Sequence, residues 1–198
     1  MSEIEEIRLI ILGNSEVGKT SFIIKYTENK FSPENMSTLG VDIKLKEMKL
    51  KNGKYFLLKI FDTAGEERYK SVSVNFIKKA DGIILMYDIT DKSSFEAISN
   101  WIGTIDDNTS DNLSKILVGN KCDLSDNPRE VNKEEGQKKA NEYKIPFFET
   151  RCKDGINVNE VFEKIVEDID SNKKYQIAPR NKIVDKNKKG KCCWFMKK

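Results

Sequence analysis

Residues 13–20 read Gly-Asn-Ser-Glu-Val-Gly-Lys-Thr and fit the pattern G-x-x-x-x-G-K-[ST]. The six residues before them, 7–12, are almost all apolar, as expected for a parallel strand that is covered on both faces. After the loop, the apolar positions change to helical spacing. A glycine-rich loop between a strand and a helix directs backbone N–H groups towards an anion. The sequence therefore predicts a phosphate site, with Lys19 on the terminal phosphates of a nucleotide and Thr20 as a ligand of Mg²⁺.

Apolar runs recur along the rest of the chain and define the predicted sheet. The alternating segment 41–46 and the run 55–61 are separated by Asn52-Gly53, which predicts an antiparallel hairpin at the sheet edge. Further runs that are typical of buried strands occupy residues 82–87, 116–118 and 145–148, with helical periodicity between them. Strands that alternate with helices imply helices on both faces of the sheet. We predict a three-layer α/β domain with a six-stranded, mostly parallel sheet and about five helices.

Charge and composition divide the 198 residues into two parts. We expect a folded domain over residues 1–171 and a flexible tail over residues 172–198, where lysine and asparagine dominate. Residues 181–198 hold seven lysines and one aspartate, whereas the whole chain has a net charge of only +3. A basic tail on a mildly acidic body favours an anionic membrane surface or a docking partner over nucleic acid. A tail that is simply solvated is the alternative.

The four cysteines are Cys122, Cys152, Cys192 and Cys193. Their spacing offers neither a disulfide framework nor a zinc pattern. The sequence has no apolar N-terminal signal region and no apolar run of about 18 residues. A reducing, cytoplasmic setting is therefore expected.

Residues 120–123, Asn-Lys-Cys-Asp, follow the predicted strand 115–119 and so lie at the carboxyl end of the sheet, where open α/β folds bind ligands. There the carboxylate of Asp123 can accept hydrogen bonds from the N1–H and amino group of guanine, two donors that adenine lacks at these positions. The motif alone is a weak signal, because Asn and Asp often form turns after strands. Together with the phosphate loop, it favours a guanine nucleotide.

Residues 62–65, Asp-Thr-Ala-Gly, end the third predicted strand. Asp62 can hold Mg²⁺ through a water molecule, and the N–H of Gly65 can bind a γ-phosphate. The alternative is a helix N-cap aspartate, which is common after a strand.

These three motifs, in this order, resemble those of Ras-like small GTPases over about residues 6–170, and in detail those of the Rab proteins. Residues 37–43 are similar to the Rab first-switch signature, and DTAGEERY at 62–69 resembles DTAGQERF. LMYDIT at 85–90 resembles LVYDIT, NKCDL at 120–124 is a common Rab form, and ETRCK at 149–153 stands in the place of ETSAK.

The resemblance implies a switch that binds and hydrolyses GTP with Mg²⁺. GTP would order residues 35–43, the effector region, and residues 65–75. The implied partners are effectors, an exchange factor, a GTPase-activating protein (GAP), a GDP-dissociation inhibitor and a prenylation escort protein. The implied nucleotide contacts are Ser15, Glu16, Val17, Gly18, Lys19, Thr20, Ser21, Thr38, Gly65, Asn120, Lys121, Asp123, Arg151, Cys152 and Lys153. The implied Mg²⁺ ligands are Thr20, Thr38 and, through water, Asp62, while Lys19, Gly65 and Glu66 would serve catalysis.

Four positions depart from the family pattern. Glu66 replaces the glutamine that orients the attacking water, and a carboxylate cannot donate a hydrogen bond to a phosphoryl oxygen. We therefore expect slowed turnover, and an interaction module held by GTP with little hydrolysis is the alternative. Glu16 stands where a small residue is usual, so its side chain should point outward. Arg151 and Cys152 replace Ser and Ala, although their backbone N–H groups can still reach guanine O6.

The end of the chain carries the remaining prediction. Cys192 and Cys193 follow the basic segment 186–191, and five residues follow them. Rab tails often end in a prenylated cysteine pair, so we expect prenylation and a peripheral position on endomembranes, with unmodified thiols as the alternative. A nucleotide kinase, the other phosphate-loop class considered, would need an arginine-rich lid, and the sequence has no such insertion.

Overall fold

The computed structural model describes residues 4–31, 41–63, 70–109, 112–122 and 128–177, and the structural statements below concern these parts. They form one six-stranded sheet and six helices. The strands are β1 (Glu5–Leu12), β2 (Val41–Lys49), β3 (Tyr55–Thr63), β4 (Gly82–Asp88), β5 (Ser114–Asn120) and β6 (Phe147–Glu149). The helices are α1 (Lys19–Glu28), α2 (Lys70–Ile77), α3 (Lys92–Glu96), α4 (Ile98–Asp106), α5 (Lys133–Glu142) and α6 (Val158–Ile177).

The strand order is β2-β3-β1-β4-β5-β6, with β2 antiparallel to β3 and every other pair parallel. The predicted three-layer α/β class with a mostly parallel sheet is confirmed. Since β1 is flanked by β3 and β4, the strand order reverses next to β1. Ligands of open α/β sheets bind beyond the carboxyl ends of the strands at such a reversal.

The apolar run of β1 serves two cores, one on each face of the sheet. Ile7, Leu9 and Ile11 belong to the core beneath α1 and α6, whereas Ile10 and Leu12 belong to the core beneath α4 and α5. Successive strand residues point to opposite faces, so a sheet covered on both sides needs apolar residues at nearly every position. This explains the continuous apolar pattern, and it fixes the loop after Leu12 on a rigid support.

The structure adds three details to the hairpin and the helices. Of the Asn52-Gly53 pair only Gly53 has a positive φ, of 87°, while the Asn52 side chain accepts a hydrogen bond from the Lys54 N–H at 3.0 Å. The stretch 92–106 forms two helices that meet at Ala97. Helix α6 continues to Ile177.

The apolar alternation of β2 does not face a core. Ile43 and Leu45 are 48% and 58% exposed. Their side chains give this edge strand an apolar outer surface. Among the described helices, none combines the length and apolar character that crossing a membrane requires.

Candidate functional site

The phosphate loop packs so closely that two of its residues must be glycine. A Cβ on Gly13 would lie 2.1 Å from the carbonyl oxygen of Met86, and a Cβ on Gly18 would lie 2.4 Å from Nδ2 of Asn120. Gly18 also has a φ of 94°, a conformation that residues with a side chain rarely adopt. These two glycines therefore allow the loop to lie directly against β4 and β5.

The side chain of Lys19 lies inside this loop. Its Nζ donates hydrogen bonds to the carbonyl oxygens of Gly13 at 3.0 Å and Asn14 at 2.6 Å, and the residue is only 5% exposed. Burial lowers the pKa of Lys19 to about 8, and the nearby negative charge of Asp62 acts in the opposite direction. Within the described residues, the hydrogen-bond partners of this buried cation are carbonyl oxygens, and an anionic ligand would further offset the cost of removing the charge from water.

The start of α1 supplies further groups for an anion. Gly18 caps the helix without a side-chain hydrogen bond, and the first turn contains no acidic residue. The first N–H groups of a helix have no partner within the helix, and the helix dipole places positive potential there. The N-terminus of α1 and the Lys19 ammonium therefore fit a phosphate group.

Two oxygen groups meet beside this N-terminus. The Thr20 hydroxyl donates a hydrogen bond to Oδ2 of Asp62 over 2.7 Å, and Asp62 is 3% exposed at the end of β3. The neighbouring Thr63 hydroxyl donates to the carbonyl oxygen of Ile11 at 2.7 Å and so ties the end of β3 to β1. A hydroxyl and a carboxylate beside a phosphate site are the oxygen ligands that Mg²⁺ prefers, so these residues fit that ion.

Asn120 joins the phosphate loop to the two segments predicted to contact the purine, 120–123 and 151–153, which we call the purine loops. Its Nδ2 donates to the carbonyl oxygen of Val17 at 2.9 Å, and its Oδ1 accepts from the Thr150 hydroxyl at 3.0 Å and the Cys152 thiol at 3.3 Å. All four residues are buried. Three segments that are far apart in the sequence thus meet at one amide group.

Lys121 and the segment 151–153 flank this amide. Lys121 Nζ lies 2.7 Å from Oδ2 of Asp88, and the residue has a positive φ of 66°. Arg151 forms an ion pair with Asp154 at 2.7 Å, and Lys153 is exposed. Of the predicted purine-facing residues, Lys121 and the segment 151–153 therefore lie at the carboxyl ends of β5 and β6.

The other predicted loop residues lie around the phosphate site. Ser15 and Glu16 are exposed, Val17 is buried, and Ser21 is partly buried in the first turn of α1. Glu16 has a φ of 63°, a strained value for a residue that is not glycine.

The remaining predicted site residues lie outside the described part of the chain. They are Thr38, Gly65, Glu66, Asp123, Cys192 and Cys193.

Sequence reasoning missed Asp88, Thr150 and the contact of Asn14 with Trp101. Oδ1 of Asn14 accepts a hydrogen bond from Trp101 Nε1 at 3.2 Å, which attaches the phosphate loop to α4. Thr150 is fully buried, and its N–H donates to the carbonyl oxygen of Gly119 at 2.8 Å. The position of Asp88 and Thr150 in the sequence could have indicated them as site residues. Both come at the ends of apolar runs, and those runs end on the same side of the sheet as Asn120.

Comparison with known proteins agrees with this geometry. The sequence profile of the Ras family matches residues 8–171. The Ras-related protein RAB1BV of Beta vulgaris is 44% identical over 163 residues, which cover 82% of this chain and 75% of that protein. The Ras-related proteins Rab-13 of Rattus norvegicus and Rab-8B of Dictyostelium discoideum are each 38% identical over 193 residues. Those two alignments cover 93% and 94% of this chain, and 94% and 93% of the respective relatives.

Proposed function

The chain belongs to the Ras family of small GTPases and is similar over most of its length to Rab proteins, and from this premise we propose that it is a Mg²⁺-dependent switch in membrane traffic. In this proposal, the GTP state recruits effectors and hydrolysis to GDP ends their binding. An exchange factor and a GAP set the two rates.

One observation carries the proposal. The buried ammonium of Lys19, the start of α1 with its glycine cap and the 2.7 Å contact between Thr20 and Asp62 surround one position at the carboxyl ends of the strands. This position combines positive charge for phosphate with oxygen groups for a metal ion. A polyphosphate with Mg²⁺ satisfies both requirements at once.

We assign the phosphates to the loop and to Lys19, whose positive charge stabilises the negative charge that develops on the oxygens during phosphoryl transfer. Thr20, Thr38 and, through water, Asp62 would hold Mg²⁺, which neutralises phosphate charge when it is bound. The N–H of Gly65 would bind the γ-phosphate. The remaining phosphate-loop contacts are assigned to Ser15, Glu16, Val17, Gly18 and Ser21.

The purine is assigned to the loops that Asn120 connects. Asp123 would accept the N1–H and amino hydrogens of guanine, and Lys121 and Lys153 would lie along the faces of the base. The backbone N–H groups of Arg151 and Cys152 would reach O6. The amide network around Asn120 supports this assignment, because it holds the purine loops and the phosphate loop in a fixed relative position.

Catalysis by Glu66 is the most distinctive part of the proposal. A glutamate can accept a hydrogen bond from the attacking water, but it adds negative charge next to a polyanion and cannot donate to a phosphoryl oxygen. We infer slow turnover and a long-lived GTP state, with the limiting case of an interaction module that hardly hydrolyses GTP.

Single-turnover hydrolysis tests this inference. The full chain, loaded with GTP and Mg²⁺, is compared with Glu66→Gln by following the conversion of GTP to GDP, with and without a GAP. We expect Glu66→Gln to be faster. Equal rates in both conditions would remove the assigned role of Glu66, and a wild-type chain that bound no GTP would contradict the whole proposal.

The partners and the location are proposed from the surfaces and the tail. The exposed apolar side chains of Ile43 and Leu45 extend from the predicted effector region along β2 and suit a partner that reads the GTP state. The basic tail and prenylated Cys192 and Cys193 would hold the protein on an endomembrane, with a GDP-dissociation inhibitor and a prenylation escort protein handling the lipid. Mass spectrometry of protein from its own cell that finds both thiols unmodified would contradict the lipid anchor.

A further inference from the structure

Asp88, the last residue of β4, is a buried carboxylate with both oxygens in use. Its Oδ1 accepts hydrogen bonds from the Thr90 N–H at 2.9 Å and the Thr90 hydroxyl at 2.8 Å. Its Oδ2 lies 2.7 Å from Nζ of Lys121, and the residue is only 6% exposed. The carboxylate is therefore fixed by its own turn and directs one oxygen at Lys121.

The backbone around this ion pair is held in place as well. Asp88 pairs with Asn120 in the parallel register of β4 and β5, and the Ile89 N–H donates to the carbonyl oxygen of Asn120 at 3.1 Å. Ser94 adds a hydrogen bond from the Asp88 N–H to its hydroxyl at 3.0 Å. The two strand ends that carry Asp88 and Lys121 cannot move apart without breaking these contacts.

Lys121 extends from the end of β5 towards the phosphate loop. Its Cε lies 4.0 Å from the position of a Cβ on Gly18, while its ammonium lies against Asp88. The Cε end of the side chain therefore lies beside the loop, and its charge is held by Asp88. The Lys121 side chain is 31% exposed, so part of it remains accessible to a flat ligand.

A free lysine side chain samples many rotamers, and fixing it when a ligand binds costs about a factor of ten in affinity. The ion pair with Asp88 fixes the side chain before the ligand arrives. The ion pair is partly buried, and attraction between opposite charges is stronger there than at an exposed surface.

We propose that Asp88 is a positioning residue for the guanine nucleotide, because it holds Lys121 in the extended arrangement on which the purine lies, without touching the nucleotide itself. The inference rests on the proposed function. The competing interpretation is that Asp88 only stabilises the turn after β4 through Thr90.

A double-mutant cycle distinguishes the positioning role of Asp88 from a purely structural role in the turn. The full-length wild type, Asp88→Asn, Lys121→Met and the double variant are loaded with a fluorescent GDP analogue and Mg²⁺, and its release is followed after adding excess GDP. Asp88→Asn keeps an oxygen acceptor for Thr90 and removes the charge that Lys121 faces. Lys121→Met keeps the length of the aliphatic stem and removes the ammonium.

We expect Asp88→Asn to speed release about ten-fold in the presence of Lys121, and less than about two-fold in the Lys121→Met background. An equal acceleration in both backgrounds would show that Asp88 acts on the turn and would overturn the inference. No acceleration in either background would overturn it as well.

Asp81→Asn provides the matched control. Asp81 lies just before β4, at the amino end of the strand whose carboxyl end carries Asp88, and forms an ion pair with Arg8 at 3.1 Å. This variant should leave release unchanged, and a ten-fold acceleration by Asp81→Asn would overturn the specific role of Asp88. If Asp88→Asn does not fold, Asp88→Ser, which keeps a hydroxyl oxygen near Thr90 and removes the charge, takes its place in the cycle with the same expected coupling. A wild-type chain that retains no GDP would instead refute the proposed function on which this inference depends.

Discussion

Replacing Asn120 with alanine tests how firmly the purine loops are attached to the phosphate loop. The Asn120 amide makes three buried hydrogen bonds, to the carbonyl oxygen of Val17, the Thr150 hydroxyl and the Cys152 thiol. Alanine leaves all three partners buried without this amide. The change therefore removes the link between three segments and adds no new steric contact.

The magnitude follows from the burial of these partners. A buried carbonyl or hydroxyl that loses its hydrogen bond costs about 1–3 kcal/mol, and the thiol adds less because it is a weak donor. We expect Asn120→Ala to lower the free energy of unfolding by about 3 kcal/mol. Because the two loops then move independently, release of GDP should accelerate by up to about 100-fold, the equivalent of the same free energy.

Thr150→Val is the matched control, because it removes one hydrogen bond to Asn120 and retains the bond from Asn120 to Val17. It should cost about 1 kcal/mol. Both variants are unfolded in urea without nucleotide, because bound GDP would add any change in affinity to the measured stability, and GDP release is measured separately. A loss below about 1 kcal/mol for Asn120→Ala, or equal losses for the two variants, would refute the reasoning.

Three further predictions concern the phosphate loop. Glu16→Gly should stabilise the protein by about 0.5–1 kcal/mol in thermal unfolding, because glycine accepts the φ of 63° at which glutamate is strained, and an unchanged or lower melting temperature would contradict this. Gly18→Ala should abolish GDP binding, because its Cβ would lie 2.4 Å from Nδ2 of Asn120; tight binding in a direct titration would disprove the close packing. Burial lowers the pKa of Lys19 from its ordinary value to about 8. Below pH 8 the lysine is charged in both the folded and the unfolded protein, and burying that charge costs stability. As pH rises above 8, the lysine in the folded protein loses its proton and this cost is relieved. Phosphate favours the charged form, so affinity for GDP should fall about ten-fold between pH 7 and pH 9 in wild type but not in Lys19→Arg, and equal profiles would show that Lys19 does not titrate there.

The sheet and the phosphate loop could be predicted because their signals are local. The apolar run of β1, the glycine spacing after it and the helical period of α1 are contiguous in the sequence. Each reflects a rule that acts over a few residues, namely burial on two faces, backbone freedom and helix periodicity. In the structure Lys19 lies inside this loop, and Thr20 at the start of α1 contacts Asp62 at the end of β3.

The contacts that organise the site could not be predicted in the same way. Asn120 and Val17 are 103 positions apart, and Asp88 meets Lys121 only because β4 and β5 are neighbours in a specific register. The sequence shows that each residue ends a strand, but the atom it contacts depends on strand order and side-chain rotamer. The exposed apolar face of β2 is a similar case, since alternation alone does not tell whether anything covers Ile43 and Leu45.

Nucleotide selection by the stripped protein tests the central claim most directly. Purified full-length protein is freed of nucleotide, supplied with Mg²⁺ and titrated with GDP, GTP, ADP and ATP under identical conditions. We predict tight binding of both guanine nucleotides and a loss of binding in Lys19→Met. Equal or tighter binding of the adenine nucleotides, or retention of none of the four, would contradict it.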